Sequence, residues 1–428
     1  MTEHDVEVLA IGAGPANLAL AVAMEESAGS DIAKNALLVE EHADVAWQRG
    51  MLLPWTQSQV SFLKDLVTLR NPRSKFSFVN YLHAVGRLDE FINLGTFTPY
   101  RQEISNYLRW VADSLSDVRV EYGRRAVRIA PTHNAAGRVD GWRTSFANGT
   151  ALTSRSVSIG AGRDPRIPAE LRNLPADQLV HSAEFSEKVA KLDAAGARRI
   201  VVVGGAQSAA ELAWAAHQGF PEARVTMVMR SIGLKNYESS RFTNEIFYSS
   251  FIDDFHAAPE EARRQLLREM HLSNYGGLAP GMLETLYRQR YLERLTGGER
   301  LFLTTMTDIT GSRTDGDDIV LSLKDRRTGL PSELRCDAVL LGTGFNSAMP
   351  RLIQDLTDSL GLQKTVVDRG YRLRVPDCDG ASCFLQGVNE ATHGIADSLL
   401  SVLASRAQDI VDGLLAERSG GRLLAEVG

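Results

Sequence analysis

Cysteine is scarce in this 428-residue chain, with three residues, Cys336, Cys378 and Cys383. They lack metal-ligand spacing, and no C-x-x-C pair is available for thiol redox chemistry. They read as reduced structural thiols, and no metal site is expected. Charge of either sign is not in large excess: the net charge of -6 leaves no electrostatic footprint for nucleic acid. No apolar run is long enough to cross a bilayer, and the chain enters its first strand without an apolar leader, so a cytoplasmic protein with no membrane partner is expected. What remains is ordinary globular composition, 44% hydrophobic and 23% charged. That length supports two or three domains with ample core.

The chain is organised around residues 6–18. Val6, Val8, Leu9 and Ile11 form a β-rich run, Gly12-Ala13-Gly14-Pro15-Ala16-Asn17 is a tight turn, and Leu18 to Met24 continue at helical spacing. Gly12 permits the turn, Gly14 lets a pyrophosphate approach the backbone, and the helix N-terminus offers free N–H groups to an anion. Pro15 suits the first helical turn. Leu37-Leu38-Val39 reads as the next strand, and Glu40 ends it where a carboxylate would grip the ribose hydroxyls of a dinucleotide. Gly12, Gly14, Pro15, Asn17 and Glu40 are therefore candidates for a first nucleotide site.

A second signature follows a linker at 160–168. Arg199 to Val203 is a strand, and Gly204-Gly205-Ala206-Gln207-Ser208 turns into a helix, with Ala206 where the pattern wants its second glycine. The following strand, Val225 to Met229, ends in Arg230, which suits the 2′-phosphate of NADPH better than a free ribose. Gly204, Gln207, Ser208 and Arg230 are the candidates here. Between the two signatures, residues 76–110 read as mainly helical and aromatic-rich, and 117–160 as short strands. Lys64 lies among Phe62, Leu63, Leu66 and Val67, and by composition it reads as a snorkelling lysine on a helix. Residues 236–298 break the α/β rhythm and read as a specificity-bearing insertion. Within it, Asn244 and Asn274 taken singly read as caps or turn residues.

Near the C-terminus, Phe384 to Ser401 reads as strand, polar glycine-containing turn and helix, and the last dozen residues look frayed. Two strand–glycine–helix units, one with an acidic and one with a basic partner, point to FAD plus NADPH. The 387–394 turn can place backbone N–H groups near a flavin ring, which makes His393 and Gly394 cofactor-binding candidates. The His393 side chain lacks a carboxylate at a suggestive spacing and reads as structural. The expected architecture is α/β, with two Rossmann-like dinucleotide-binding domains and a smaller, mainly helical substrate domain. The expected boundaries are 1–165 and 337–428 for FAD, 166–240 and 300–336 for NADPH, and 241–299 for the insertion. Without a C-x-x-C pair, oxygen is the remaining common acceptor for the reduced flavin, which suggests a monooxygenase.

The chain resembles the flavin-dependent N-hydroxylating monooxygenases of siderophore biosynthesis, most closely the bacterial L-ornithine N(5)-monooxygenases. The resemblance spans nearly the whole length. It is carried by Gly12-x-Gly14-Pro15-x-Asn17-Leu18, Gly50-Met51-Leu52-Leu53-Pro54, Gln59 to Val67, Phe78 to His83, Ile92 to Phe97, Gln207 to Glu211, Asn244-Glu245-Ile246-Phe247 and Thr392-His393-Gly394. It implies that NADPH reduces FAD, that O2 forms a flavin C(4a)-hydroperoxide, and that an unprotonated amine attacks the distal oxygen. Carried over residue by residue, it implies that Lys64 and Asn244 hold the substrate carboxylate. Asn274 and Ser401 lie near the reacting nitrogen, Gln59 steadies the oxygenated flavin, and Arg230 contacts NADPH. The implied substrate is L-ornithine, with L-lysine or a diamine (putrescine, cadaverine) as alternatives. A non-catalytic flavin-binding protein is the reading from a different class.

The sequence departs from the family pattern at Gln48, Ala206, Gly342 to Phe345, Ser273 and the stretch 237–241. Ser273 and 237–241 touch substrate identity, whereas Ala206 and Gly342 touch nucleotide binding. The helical surfaces around 76–110 are candidates for a homo-oligomer contact.

Overall fold

The structure is a computed structural model that describes residues 4–27 and 31–426. Three sheets organise it. The first has seven strands. Its parallel part places Arg119–Glu121, Ala36–Val39, Val6–Ile11 and Ala151–Ile159 side by side, and Ser382–Leu385 adds to the last of these. Val139–Phe146 and Ala126–His133 continue it antiparallel. Val6–Ile11, Ala36–Val39 and Ser382–Leu385 are almost wholly buried, as expected where helices cover a parallel sheet, whereas the edge strand Arg119–Glu121 is not. One cover is Pro15–Glu25, against which the long helix Leu403–Glu426 packs. That helix runs through most of the stretch expected to fray; residues 427–428 lie outside the described residues.

The second sheet is wholly parallel, in the order Leu301–Thr304, Arg224–Val228, Arg199–Val203, Ala338–Leu341, Leu179–His181. A three-stranded antiparallel sheet over 307–336 packs its Ile319, Leu321 and Leu323 against Val201, Val228 and Val339. Two of the expected boundaries therefore move. The strand Ala338–Leu341 lies in the second sheet, so the return to the first follows Leu341 and not residue 337. A short, fully buried apolar strand reads alike in either sheet, and its partners lie far away in sequence. The helix Pro280–Thr296, expected in the insertion, packs its Met282, Leu283 and Leu286 into the second core.

The helical stretch expected over 76–110 is present as Phe78–Ala84, Leu88–Leu94 and the beginning of Arg101–Ser114. Residues 52–77, which include Lys64, form turns and no helix. Asp65 organises them: its buried carboxylate accepts N–H groups of Val67, Thr68 and Phe78. Gly50 marks the contact of the two cores, since an added Cβ there would fall on the Ala183 carbonyl. Its neighbour Met51 is buried in the second core.

Candidate active site

The first glycine turn is built for close approach. Gly12 has φ +88°, and an added Cβ would sit 2.8 Å from the Gly160 carbonyl oxygen. At Gly14, the N-cap of the helix Pro15–Glu25, an added Cβ would meet nothing within 4 Å. A pyrophosphate thus has open access to the helix N-terminus. Glu40 stands at the end of the neighbouring strand, where Oε2 accepts the Ala13 N–H at 2.9 Å and Oε1 accepts the His42 N–H at 3.1 Å. This arrangement fits a dinucleotide with free ribose hydroxyls.

The side chain of Asn17, expected to touch cofactor, is committed within the fold. It is fully buried; Nδ2 donates to the carbonyls of Ile11 and Gly12, both at 2.9 Å. Its Oδ1 accepts from Ser158 Oγ at 2.9 Å and Gln386 Nε2 at 2.8 Å. Asn17 therefore ties the helix to three strand ends. His393 and Gly394 are corrected likewise. Their backbone N–H groups are taken by the carbonyls of Asn389 and Glu390. The His393 ring is buried and stacks on Tyr371 at 4.2 Å, and desolvation lowers its pKa to about 3. Neither residue offers a donor to a ring at that turn.

The second turn keeps the same design with a tighter seat. Gly204 packs on the Gly342 carbonyl, and an added Cβ at Gly342 would collide with Ala209. Gly342 thus lets the helix Gln207–Gly219 lie on the sheet. The Gln207 side chain is committed within the protein: Nε2 donates to Glu211 at 2.8 Å, and Oε1 accepts the Ala279 N–H at 2.9 Å. Arg230 is exposed at the strand end with no carboxylate partner among the described residues, as a phosphate-recognising arginine would be.

A third cluster lies around Lys64. Its ammonium, half-buried, donates to Ser401 Oγ at 3.2 Å and lies 5.6 Å from the centre of the Phe247 ring. Among the described residues no carboxylate pairs with it, and burial pushes its pKa down. Phe247 closes the 3₁₀ helix Thr243–Phe247. In such a helix residues three apart eclipse, so Asn244 shares the face of Phe247, and its Nδ2 donates to the Ser239 carbonyl at 3.4 Å. Lys64 also lines a small, mostly apolar pocket with Ser61, Phe62, Asp65, Phe78 and Leu400.

Asn274 ends the short helix His271–Asn274, and its side chain makes no hydrogen bond within the described residues. The next residue, Tyr275, donates its hydroxyl to Glu390, with Ser398 Oγ 3.5 Å away. This docks the segment on the turn that leads to Ser401. Burial, with Glu390 adding to it, pushes the Tyr275 phenol up to about 12. Gln59 is exposed, and its side chain meets the half-buried Tyr237 phenol. Phe247, Tyr275 and Glu390 were not found by sequence reasoning, because an aromatic or acidic residue in a helical stretch carries no local mark of a site.

Two sheets, each with a glycine turn leading into a helix, and a half-buried lysine that has no carboxylate partner among the described residues define a two-dinucleotide oxidoreductase. Residues 4–347 match the family described as L-lysine 6-monooxygenase/L-ornithine 5-monooxygenase, and the chain belongs to that family as a flavin-dependent N-monooxygenase. It is 36% identical over 419 residues to an L-ornithine N(5)-monooxygenase of Pseudomonas aeruginosa, covering 96% of this chain and 93% of that protein. It superposes with a TM-score of 0.90 and 33% identity on an ornithine N-hydroxylase of Kutzneria sp. 744, solved with reduced FAD, NADP+ and L-ornithine. That match covers 97% of this chain and 100% of the other. An L-lysine 6-monooxygenase of Pseudomonas syringae matches at TM-score 0.84 and 29% identity, covering 97% of this chain and 100% of the other.

Proposed function

We propose that the protein hydroxylates the side-chain amine of L-ornithine, using FAD, NADPH and O2. The product would be an N-hydroxy amino acid, the precursor of a hydroxamate in a siderophore or related natural product. The reaction balances as amine, O2, NADPH and a proton giving hydroxylamine, NADP+ and water. The observation that carries the substrate reading is Lys64, a half-buried ammonium without a carboxylate of its own.

The first glycine turn and Glu40 would hold FAD. The second turn, with Gly204, Ser208 and Arg230, would hold NADPH. FAD, reduced by NADPH, supplies the activation of O2 and the transfer of one oxygen atom to nitrogen. Lys64 and the Asn244 amide bind the α-carboxylate, an anion that a cation and an amide donor complement. Held there, the substrate extends its amine toward Asn274, while Ser401, hydrogen-bonded to Lys64, stands at the carboxylate end. Gln59, steadied by Tyr237, stands on the cofactor side. The amine must be neutral to attack, so the reaction rate is expected to rise with pH.

Side-by-side assays of hydroxylamine from ornithine, lysine, putrescine and cadaverine test the reading. Putrescine is ornithine without its carboxylate. Turnover of ornithine with a Michaelis constant on the order of 10–100-fold below that of putrescine supports Lys64 as the carboxylate ligand. Equal constants for the two would contradict it.

A further inference from the structure

The two dinucleotide-binding sheets have separate cores, and junctions of this kind ordinarily leave domains free to move. Here the junction contains a buried, bidentate ion pair. Arg101 opens the helix Arg101–Ser114 of the first core, and Glu211 lies in the second turn of Gln207–Gly219 of the second. Nη1 donates to Oε2 at 2.7 Å and Nη2 to Oε1 at 2.8 Å, with the side chains only 8% and 2% exposed. The pair is connected on both sides. The Arg101 N–H donates to the Thr56 carbonyl at 2.9 Å, three residues before Gln59. On the other side Glu211 accepts from Gln207, which in turn accepts from the Ala279 N–H at the start of the helix Pro280–Thr296.

Removing two charges from water is unfavourable enough that an apolar pair of equal volume is often as stable or more so. What an apolar pair lacks is a fixed distance and plane. A guanidinium fork meets a carboxylate in one geometry, and rotating the second domain would leave two buried charges unpaired. The location of the pair is also informative. Glu211 is on the helix whose N-terminus faces the second glycine turn, so that turn moves with it. The close Gly50–Ala183 backbone contact, the Ser186 Oγ hydrogen bond to the Gly50 carbonyl at 2.9 Å and the buried Met51 form a bearing at the same junction.

We propose that Arg101 and Glu211 are positioning residues that hold the second nucleotide turn at a fixed offset from the first. NADPH at one turn and FAD at the other then meet in register for hydride transfer, NADPH leaving as NADP+ and FAD taking up the hydride and a proton. The inference rests on the FAD and NADPH reading above.

The test uses purified holoenzyme and two variants: Arg101→Lys, which keeps the charge and loses the fork, and the double variant Arg101→Met/Glu211→Met, which leaves no charge unpaired. Hydrogen–deuterium exchange of the connecting segments 160–168 and 342–350 is measured without NADPH. It is expected to rise roughly tenfold in both variants. Anaerobic flavin reduction by NADPH is expected to slow on the order of 10–100-fold, while dithionite reduction and FAD content stay at wild-type values. Wild-type exchange and reduction in both variants, or a change in only one readout, would overturn the proposal. A wild-type protein that NADPH cannot bleach would overturn the cofactor reading instead, with the exchange data still reporting on the clamp.

Discussion

Lys64 combines partial burial with the absence of an acidic partner, and both follow from its neighbours. Asp65, the nearest carboxylate in sequence, is turned to the N–H groups of its own turn and of Phe78. The ammonium is left to a hydroxyl and a ring. A site that waits for an anion is less stable without it, so function and stability should separate here. Lys64→Ala is expected to raise the Michaelis constant for ornithine roughly 10–100-fold while leaving anaerobic flavin reduction by NADPH unchanged. Lys64→Met, which removes the desolvated charge and keeps the stem, should lose substrate affinity equally and raise the Tm by on the order of 1 °C in calorimetry. An unchanged Michaelis constant in both variants would remove Lys64 from the site. By composition Lys64 resembled a snorkelling side chain, because burial and lack of a partner are properties of the folded surroundings and leave no trace in spacing.

Among the elements, the glycine turns were legible because their strand–glycine–helix pattern shows in a few consecutive residues, although the backbone that crowds Gly12 and Gly204 lies far away, at Gly160 and Gly342. Their neighbours were less so. Asn17 sits inside the motif yet serves the fold, since its four partners come from strand ends as distant as Gln386. Asn17→Ala is expected to lower stability by about 1–3 kcal/mol in urea denaturation, because Ser158 and Gln386 would be left buried with fewer partners. The helix Pro280–Thr296 gives a second case. Glu293 near its end caps the following strand, accepting the N–H groups of Arg300 and Leu301 at 2.9 Å and pairing with buried His217. Burial raises its pKa, but these hydrogen bonds outweigh burial and bring it down to about 2. Folded-state depression of a carboxyl gives stability that is present above the unfolded value of about 4.3 and is lost as pH falls toward 2. Glu293→Gln should therefore be less stable than wild type at pH 7, and the two Tm values should converge as pH falls from 5 toward 3. A constant difference across that range would show that the carboxylate is not held ionised.

At the scale of the molecule, the alternation of strands and helices announced two nucleotide domains, and the break in that rhythm over 236–298 announced an insertion. The placement of Ala338–Leu341 and Pro280–Thr296 was not legible, since both depend on pairing across more than a hundred residues or on packing between helices. The same non-local packing makes the domains act together. The Gly50 bearing and the Arg101–Glu211 pair join the two cores, and Tyr275 joins the insertion to the turn before Ser401. The central claim is that this assembly couples NADPH oxidation to hydroxylation of an amino-acid amine. The most direct measurement is a paired one on the purified protein. NADPH is added under nitrogen and flavin bleaching is followed; oxygen and L-ornithine are then admitted, and hydroxylamine is quantified against NADPH consumed. Complete bleaching followed by close to one hydroxylamine per NADPH is the expected result. Bleaching that returns only hydrogen peroxide, with ornithine, lysine and both diamines alike, would contradict the claim.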